Sequence, residues 1–467
     1  LQQLMEAYLL KRIRPLFDFS NIRPLGSFVS IGARAPGPQP LIRMLDLVET
    51  FLKKAIGRKL RPIEVHDIIC IISDCVLSGG IRRSSLLSLF DSSDKEMLTA
   101  KSGNWWEKYP WRARANNSAV LFKNSSTEEE FRNIFETCKL SGSGEPAWFW
   151  LSRKSDAGTN PCAEISLNPS QLCNLTEINL TTIKDKKDWL SRVYSATLIG
   201  SLQASYTDFP WLRDKWQRQT EAEALLGLSM TGIADKPIPI EWLEEGAKYA
   251  LEVNEKYAKK LGIDIAARIT TGKPSGTTST VLSSSSGIHA RHSKYYIRRI
   301  RMNKNDALSM YLMEKVPQLI ENDKTSDTGI ILSIPQEAPD GAILRDNETA
   351  LQLFERALKW NKHWVKPGHR TGENMHNISC TISVRPDEWD SLRDNMWAYK
   401  DYYTGISLLP FDGGNYQQAP FEVCTKEQFE QMFAYVKDID LKEVKEGQDM
   451  TSRIETISCA GGTCEIP

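Results

Sequence analysis

Apolar residues recur at three- and four-residue intervals over 41–56, 66–77, 243–261, 305–316 and 349–365, which places them along one face of a helix in each segment. Asp346 and Asn347 stand as candidate caps ahead of the last of these, and Thr425 followed by Gln428 predicts a capping box opening a further helix over 426–436. Strands are predicted over 330–335, 405–411 and 377–384. In the last of these Ile378, Cys380, Ile382 and Val384 alternate with polar partners. Helix and strand segments interleave, which predicts the mixed α/β class. No repeat, heptad or linker breaks the pattern apart from the serine run 283–286, and the C-terminal residues carry few core-forming side chains. The expected organisation is one large α/β domain over 1–450 followed by a mobile tail over 451–467.

Composition narrows the function classes. Among 467 residues, 59 Lys plus Arg balance 59 Asp plus Glu, so no net field draws the chain to nucleic acid or anionic lipid, and neither is an expected partner. No window of about 18 uninterrupted apolar residues marks a membrane helix. The first residue, Leu1, stands inside what reads as a running helix with no targeting pattern, so the chain is expected to lack its N-terminal part. Nine irregularly spaced cysteines do not form a secreted disulfide framework; a reducing, cytoplasmic setting is expected, with any paired cysteines serving redox or metal chemistry.

The chemistry-bearing residues fall in three places. Asn160, Cys162 and Glu164 alternate in Asn-Pro-Cys-Ala-Glu-Ile, and in an extended loop the period of two would turn amide, thiol and carboxylate to one face. Cys173 follows eleven residues after Cys162 at the start of a predicted strand. The competing reading makes both thiols buried small hydrophobes; the convergence of three polar types favours reactivity. Near the end, Cys459 and Cys464 flank Ala-Gly-Gly-Thr, a turn permissive enough to bring two thiols to disulfide distance. Half of a zinc site is the rival, but no second Cys/His pair completes it, so a dithiol shuttle is preferred and no metal site is expected. Third, Lys273 is followed by Pro274, Ser275, Gly276, Thr277, Thr278 and Ser279, whose hydroxyls and helix-start N–H groups suit either a phosphate cradle or an ordinary N-cap. The spacing is not that of a Walker A loop. His289 and His292 lack acidic or thiol neighbours to complete a metal shell, so surface or ribose-contact roles are expected of them. Cys70, Cys75, Cys138 and Cys380 lie in apolar patterns and read as core, whereas the role of Cys424 is left open.

These motifs resemble a known family. Gly-Ala-Arg-Ala-Pro-Gly-Pro at 32–38, Gly-Gly-Ile-Arg-Arg-Ser at 79–84, Asn-Asn-Ser at 116–118, Gly-Glu-Pro at 144–146, the stretch 160–167, Pro-Ser-Gly-Thr-Thr-Ser at 274–279, Ser-Gly-Ile-His at 286–289, Tyr-Tyr-Ile-Arg-Arg at 295–299, the stretch 405–414 and the terminal cysteine pair are similar to ribonucleotide reductase. The similarity is to the adenosylcobalamin-dependent class II, of the monomeric ribonucleoside-triphosphate reductase type. The resemblance implies a ten-stranded α/β barrel of two antiparallel five-stranded halves with a central finger loop carrying Cys162, N-terminally incomplete here. It implies radical-based reduction of ribonucleoside triphosphates to 2'-deoxyribonucleotides, with adenosylcobalamin as cofactor and a thiyl at Cys162. It gives Glu164 the role of general base, Asn160 that of orienting the ribose hydroxyls, and Cys173 that of one member of the reducing dithiol. Cys459 and Cys464 would relay electrons from thioredoxin or a similar reductant, and Ser275, Gly276, Thr277, Thr278 and Ser279 would hold the substrate phosphates. The family's other redox cysteine lies upstream of the 32–38 stretch, so the chain is expected to be the C-terminal part of a larger or split enzyme, with a separate N-terminal fragment as a partner. Two rivals remain: the large subunit of a class I reductase, for which Tyr295-Tyr296 and Tyr402-Tyr403 are candidate radical carriers, and a catalytically incomplete nucleotide-binding fragment. An anaerobic glycyl-radical enzyme is disfavoured, since Gly461-Gly462 lack that family's motif.

Overall fold

Three parallel strands open the site region: β1 (Leu86–Asp91), β2 (Ala115–Phe122) and β3 (Ala147–Leu151), with β2 in the middle. All five residues of β3, Ala-Trp-Phe-Trp-Leu, are buried, as expected of a strand covered on both faces. The computed structural model describes residues 1–445 except 30–32, 79–80, 83, 156, 305, 325–328, 412–417 and 438. The predicted tail with Cys459 and Cys464 lies outside the described residues.

A second parallel run begins at β4 (Asn174–Asn179), which pairs with β5 (Leu226–Thr231). Leu228 bridges in parallel to Thr270, and Gly272 to Ile378. That segment leads into β6 (Thr381–Val384), which pairs in parallel with β7 (Ser407–Pro410). The two runs meet where the Trp150 N–H donates to the Thr404 carbonyl at 2.7 Å. Helices cover the outside. Phe131 of the helix Glu128–Ser141 packs edge-on to Trp148 and stacks on Trp150 of β3. The helices Lys186–Ala204 and Ile240–Leu261 lie against each other outside β4 and β5, with Trp189 buried between them.

Gly144 ties the runs together. It sits at φ +75°, and a Cβ there would stand 2.2 Å from the Leu408 carbonyl of β7, so only glycine lets the loop before β3 lie on that strand. Gly144→Ala is expected to cost about 2 to 4 kcal/mol, combining backbone strain with an immovable backbone clash, read as a lowered midpoint of denaturant unfolding.

The predicted helices and strands occur, with two differences. The cap of the helix Ala350–Trp360 is Thr349, in a reciprocal capping box with Gln352, and not Asp346 or Asn347, which lie in a preceding 3-10 turn. The predicted helix 349–365 also changes form: after Trp360 it widens into a π-turn, Asn361–Val365, of the kind found at functional positions. Asn361 in that turn is buried and accepts from the Ile378 N–H at 3.0 Å. The described residues also form more than one hydrophobic cluster. Beside the main cluster, a small antiparallel sheet of Tyr295–Asn303, Gly329–Glu337, Ile320–Asn322 and Phe421–Val423 has its own core around Leu312, Val316, Leu319 and Leu332. A third cluster joins Leu4, Val48, Leu52 and Ile68 on N-terminal helices. Neither can merge with the main core because the sheet and the helix pair each bury a different face.

Candidate active site

The loop carrying Cys162 is held by a two-residue antiparallel ladder, Gly158–Thr159 with Ser166–Leu167. Between them the chain is not extended. Ala163 adopts φ +62°, its N–H donates to the Asn160 carbonyl at 2.9 Å, and the Asn160 side-chain oxygen accepts from the Ile165 N–H at 2.9 Å. The premise that positions 160, 162 and 164 share one face is therefore corrected. The turn sends the Cys162 thiol outward and the Glu164 carboxyl inward, where the residue is 1% exposed.

Both runs of strands grip this turn. From β2, Asn116 Nδ2 donates to the Pro161 carbonyl at 2.9 Å. From the other side, Thr271 Oγ1 donates to the Glu164 carbonyl at 2.8 Å and the Asn377 N–H donates to the same oxygen at 2.9 Å. The Asn377 amide also donates to the carbonyls of Ala163 and Gly405, at 3.3 and 2.6 Å. A loop held by its Pro161, Ala163 and Glu164 carbonyls from two sides presents its thiol at a fixed height.

Cys162 borders a cavity of about 240 Å³ whose other walls include Asn116, Ser118, Trp148, Pro274, Ser379 and the backbone of 405–409. Glu164 and Cys173 do not border it. No tyrosine lines the chamber among the described residues. Tyr403 is buried elsewhere, accepting from Trp148 Nε1 and donating to the Met396 carbonyl.

Both carboxyl oxygens of Glu164 are sealed from solvent without a hydrogen-bond partner among the described residues. Burial pushes its carboxyl above the ordinary range, offset in part by the Asn160 amide and the Lys273 charge. Burial, then the neighbouring Glu164, pushes the Cys162 thiol up. Cys173, at the entry to β4, is pushed well above the ordinary thiol range, first by burial and then by Glu164. Its environment is closely packed, since a Cβ on Gly227 would lie 3.3 Å from its sulfur. Neutral S–H groups are poor anionic nucleophiles. They suit donation and abstraction of hydrogen atoms.

The segment 274–279 opens a short helical turn, Thr277–Val281, at Gly276. Two of its predicted phosphate donors are already engaged. Ser279 Oγ donates to the carbonyls of Ser275 and Gly276 at 2.6 and 2.9 Å, and Ser275 Oγ donates to the Glu177 carboxylate at 3.0 Å. Gly276 and Thr278 are exposed and remain open to a ligand. His289 departs from its expected surface or ribose role: it is enclosed, one ring nitrogen bonded to the Ser286 carbonyl and the other accepting from the Thr381 N–H.

Sequence reasoning gave no role to Glu177, Thr271 or Asn377, and named Lys273 and Asn116 only as members of motifs. The signal was present for two of them: a carboxylate inside the strand Asn-Leu-Thr-Glu-Ile-Asn, and an asparagine opening an otherwise apolar alternation.

No family model matches the chain. It is 27% identical over 477 residues to a probable adenosylcobalamin-dependent ribonucleoside-triphosphate reductase of Dictyostelium discoideum, covering 95% of this chain and 60% of that protein. It is 25% identical over 509 residues to the adenosylcobalamin-dependent ribonucleoside-triphosphate reductase of Lactobacillus leichmannii, covering 97% of this chain and 66% of the relative. The chain thus spans about 60 to 66% of the length of these curated relatives. A crystal structure of B12-dependent class II ribonucleotide reductase superposes with a TM-score of 0.74 at 24% identity, over 91% of this chain and 64% of that one. The chain has the α/β fold of class II ribonucleotide reductase and is similar, along nearly its whole length, to adenosylcobalamin-dependent ribonucleoside-triphosphate reductases.

Proposed function

We propose that the chain carries the catalytic centre of a ribonucleoside-triphosphate reductase that forms 2'-deoxyribonucleotides by thiyl chemistry. The observation that supports this most is the pairing at one turn of a neutral thiol facing a chamber with a buried, unpartnered carboxyl behind it. Cys162, as its thiyl, takes the 3' hydrogen of the ribose and returns it at the end of the cycle. Glu164 accepts the 3'-hydroxyl proton; a substrate hydroxyl would give its carboxyl the partner it lacks. Asn160, fixed through its side-chain oxygen, has its NH2 beside Glu164, so that the two would meet the ribose hydroxyls together. The 2'-hydroxyl leaves as water. Cys173 and a second thiol give up two electrons and two protons and become a disulfide. Cys459 and Cys464 would reduce that disulfide by exchange and be reset by thioredoxin or a similar dithiol in a reducing cytoplasm.

The chamber beside Cys162 would suit the nucleoside end of adenosylcobalamin: its wall residues include the neutral hydrogen-bonding Asn116, Asn117, Ser118, Ser379 and Thr381, with Glu145 the one acid among them. When bound, this cofactor supplies the radical that initiates the chemistry. In this reading the two strand runs belong to a ten-stranded barrel with five strands in each half, residues 451–467 form a redox tail, and the second active-site thiol comes from an N-terminal segment or a separate fragment. The similarity to adenosylcobalamin-dependent reductases favours class II over class I chemistry.

The test is formation of 2'-deoxynucleotide from ribonucleoside triphosphate by this chain with adenosylcobalamin and dithiothreitol, with and without an N-terminal fragment taken from a relative. Product that requires the cofactor supports the proposal. Its absence under both conditions, with the protein folded, overturns it.

A further inference from the structure

The phosphate segment has an acid built into it. Glu177 holds Ser275 by one carboxylate oxygen, and its other oxygen is sealed off without a partner, as are both oxygens of Glu164. A buried carboxyl, Glu164, and a half-buried one, Glu177, thus stand near the segment read as the phosphate site, and a polyanion beside them is repelled unless a cation intervenes. The Lys273 charge is felt at Cys162, Glu164 and Glu177 alike. No described hydrogen bond or ion pair engages its ammonium.

Its backbone is fixed. The Lys273 N–H donates to Ser229 Oγ at 2.8 Å, and Gly287, at φ +54°, lies so close behind that a Cβ there would stand 2.5 Å from the Lys273 carbonyl. The next residue, Pro274, borders the Cys162 chamber, and Ser275 follows with its bond to Glu177. The side chain therefore springs from a rigid root between thiol, acids and phosphate segment, with a compact charge on a flexible stem.

We propose that Lys273 is a specificity-determining residue whose ammonium takes the phosphate group nearest the ribose. This rests on the ribonucleotide reading of the site. Because Lys273 stands at the end of the segment next to Pro274, which borders the Cys162 chamber, it serves the ribose end of the phosphate chain, and the exposed Gly276 and Thr278 are left for the phosphates beyond.

The test is calorimetric titration of the wild-type chain, Lys273→Met and Lys273→Arg with cytidine and its 5'-mono-, di- and triphosphates. Lys273→Met should weaken all three phosphates by one common factor of about 10- to 100-fold, the worth of a charge-assisted hydrogen bond, and leave cytidine unchanged. Lys273→Arg should recover most of the loss. No loss, an equal loss for cytidine, or a loss that starts only at the diphosphate overturns the proposal. If the wild-type chain binds none of the four, the ribonucleotide reading itself fails. An independent readout needs no nucleotide: the pH profile of Cys162 alkylation by iodoacetamide, followed by mass spectrometry, should move to higher pH in Lys273→Met and stay in Lys273→Arg. An unmoved profile in Lys273→Met removes the lysine from the site.

Discussion

Cys162→Ser is expected to bring deoxynucleotide formation to background, a loss of at least about 10⁴-fold, on the scale seen when a residue that forms the reactive species is removed. Nucleotide affinity should stay within about twofold, because the binding arithmetic does not involve this thiol. The reasons are structural and chemical. Serine fills the same turn, where the neighbouring carbonyls are claimed by Asn116, Asn377 and Thr271, so the loop keeps its shape. Its O–H bond is too strong to yield a radical that would trade hydrogen with a ribose carbon. The measurement is single-turnover product formation alongside calorimetric binding. Residual turnover in a serine variant that binds nucleotide normally would show that another residue carries the radical.

Glu164→Gln is expected to lower kcat by about 10²- to 10⁴-fold, the range for removing a general base, and to flatten the rise of kcat with pH. With burial holding the Glu164 carboxyl above the ordinary range, the wild-type rate should climb with pH through that raised pKa as the base ionises. Stability should move the opposite way. A group whose folded pKa is raised contributes stability that is fully present below its unfolded pKa and lost as pH rises through the folded one. The wild-type chain should therefore lose ground to Glu164→Gln between acidic and neutral pH. By neutral pH the variant should be the more stable by about 1 to 3 kcal/mol, the cost of a buried group left without a partner. Denaturant melts at two pH values check the sign. A wild-type chain that is the more stable at neutral pH would mean that the carboxylate has a partner in solution.

The convergence of Asn160, Cys162 and Glu164 was read from residue types and spacing and their roles from the family resemblance, yet the geometry first assumed for them was wrong. A period-two argument needs extended backbone, and the hydrogen bond from Ala163 to Asn160 closes a turn instead. On that turn Cys162 is exposed, Glu164 is buried and the Asn160 side-chain oxygen accepts from the Ile165 N–H. Likewise the serines of 274–279 were legible as polar groups at a helix start, but two of them spend their hydroxyls on the segment's own carbonyls and on Glu177.

By itself the sequence determined what is local: helices from three-and-four spacing, the capping box at Thr425 and Gln428, strands from alternation, and the order of motifs along the chain. Only the tertiary structure decided that Asn116, Thr271 and Asn377, as many as 261 positions apart, hold one turn, and that Glu177 bonds Ser275 of the segment that follows Lys273. Local backbone preferences act over a few residues and leave a trace in spacing. Contacts made by strands lying side by side depend on which strands become neighbours, which packing of the whole core settles and no short window records.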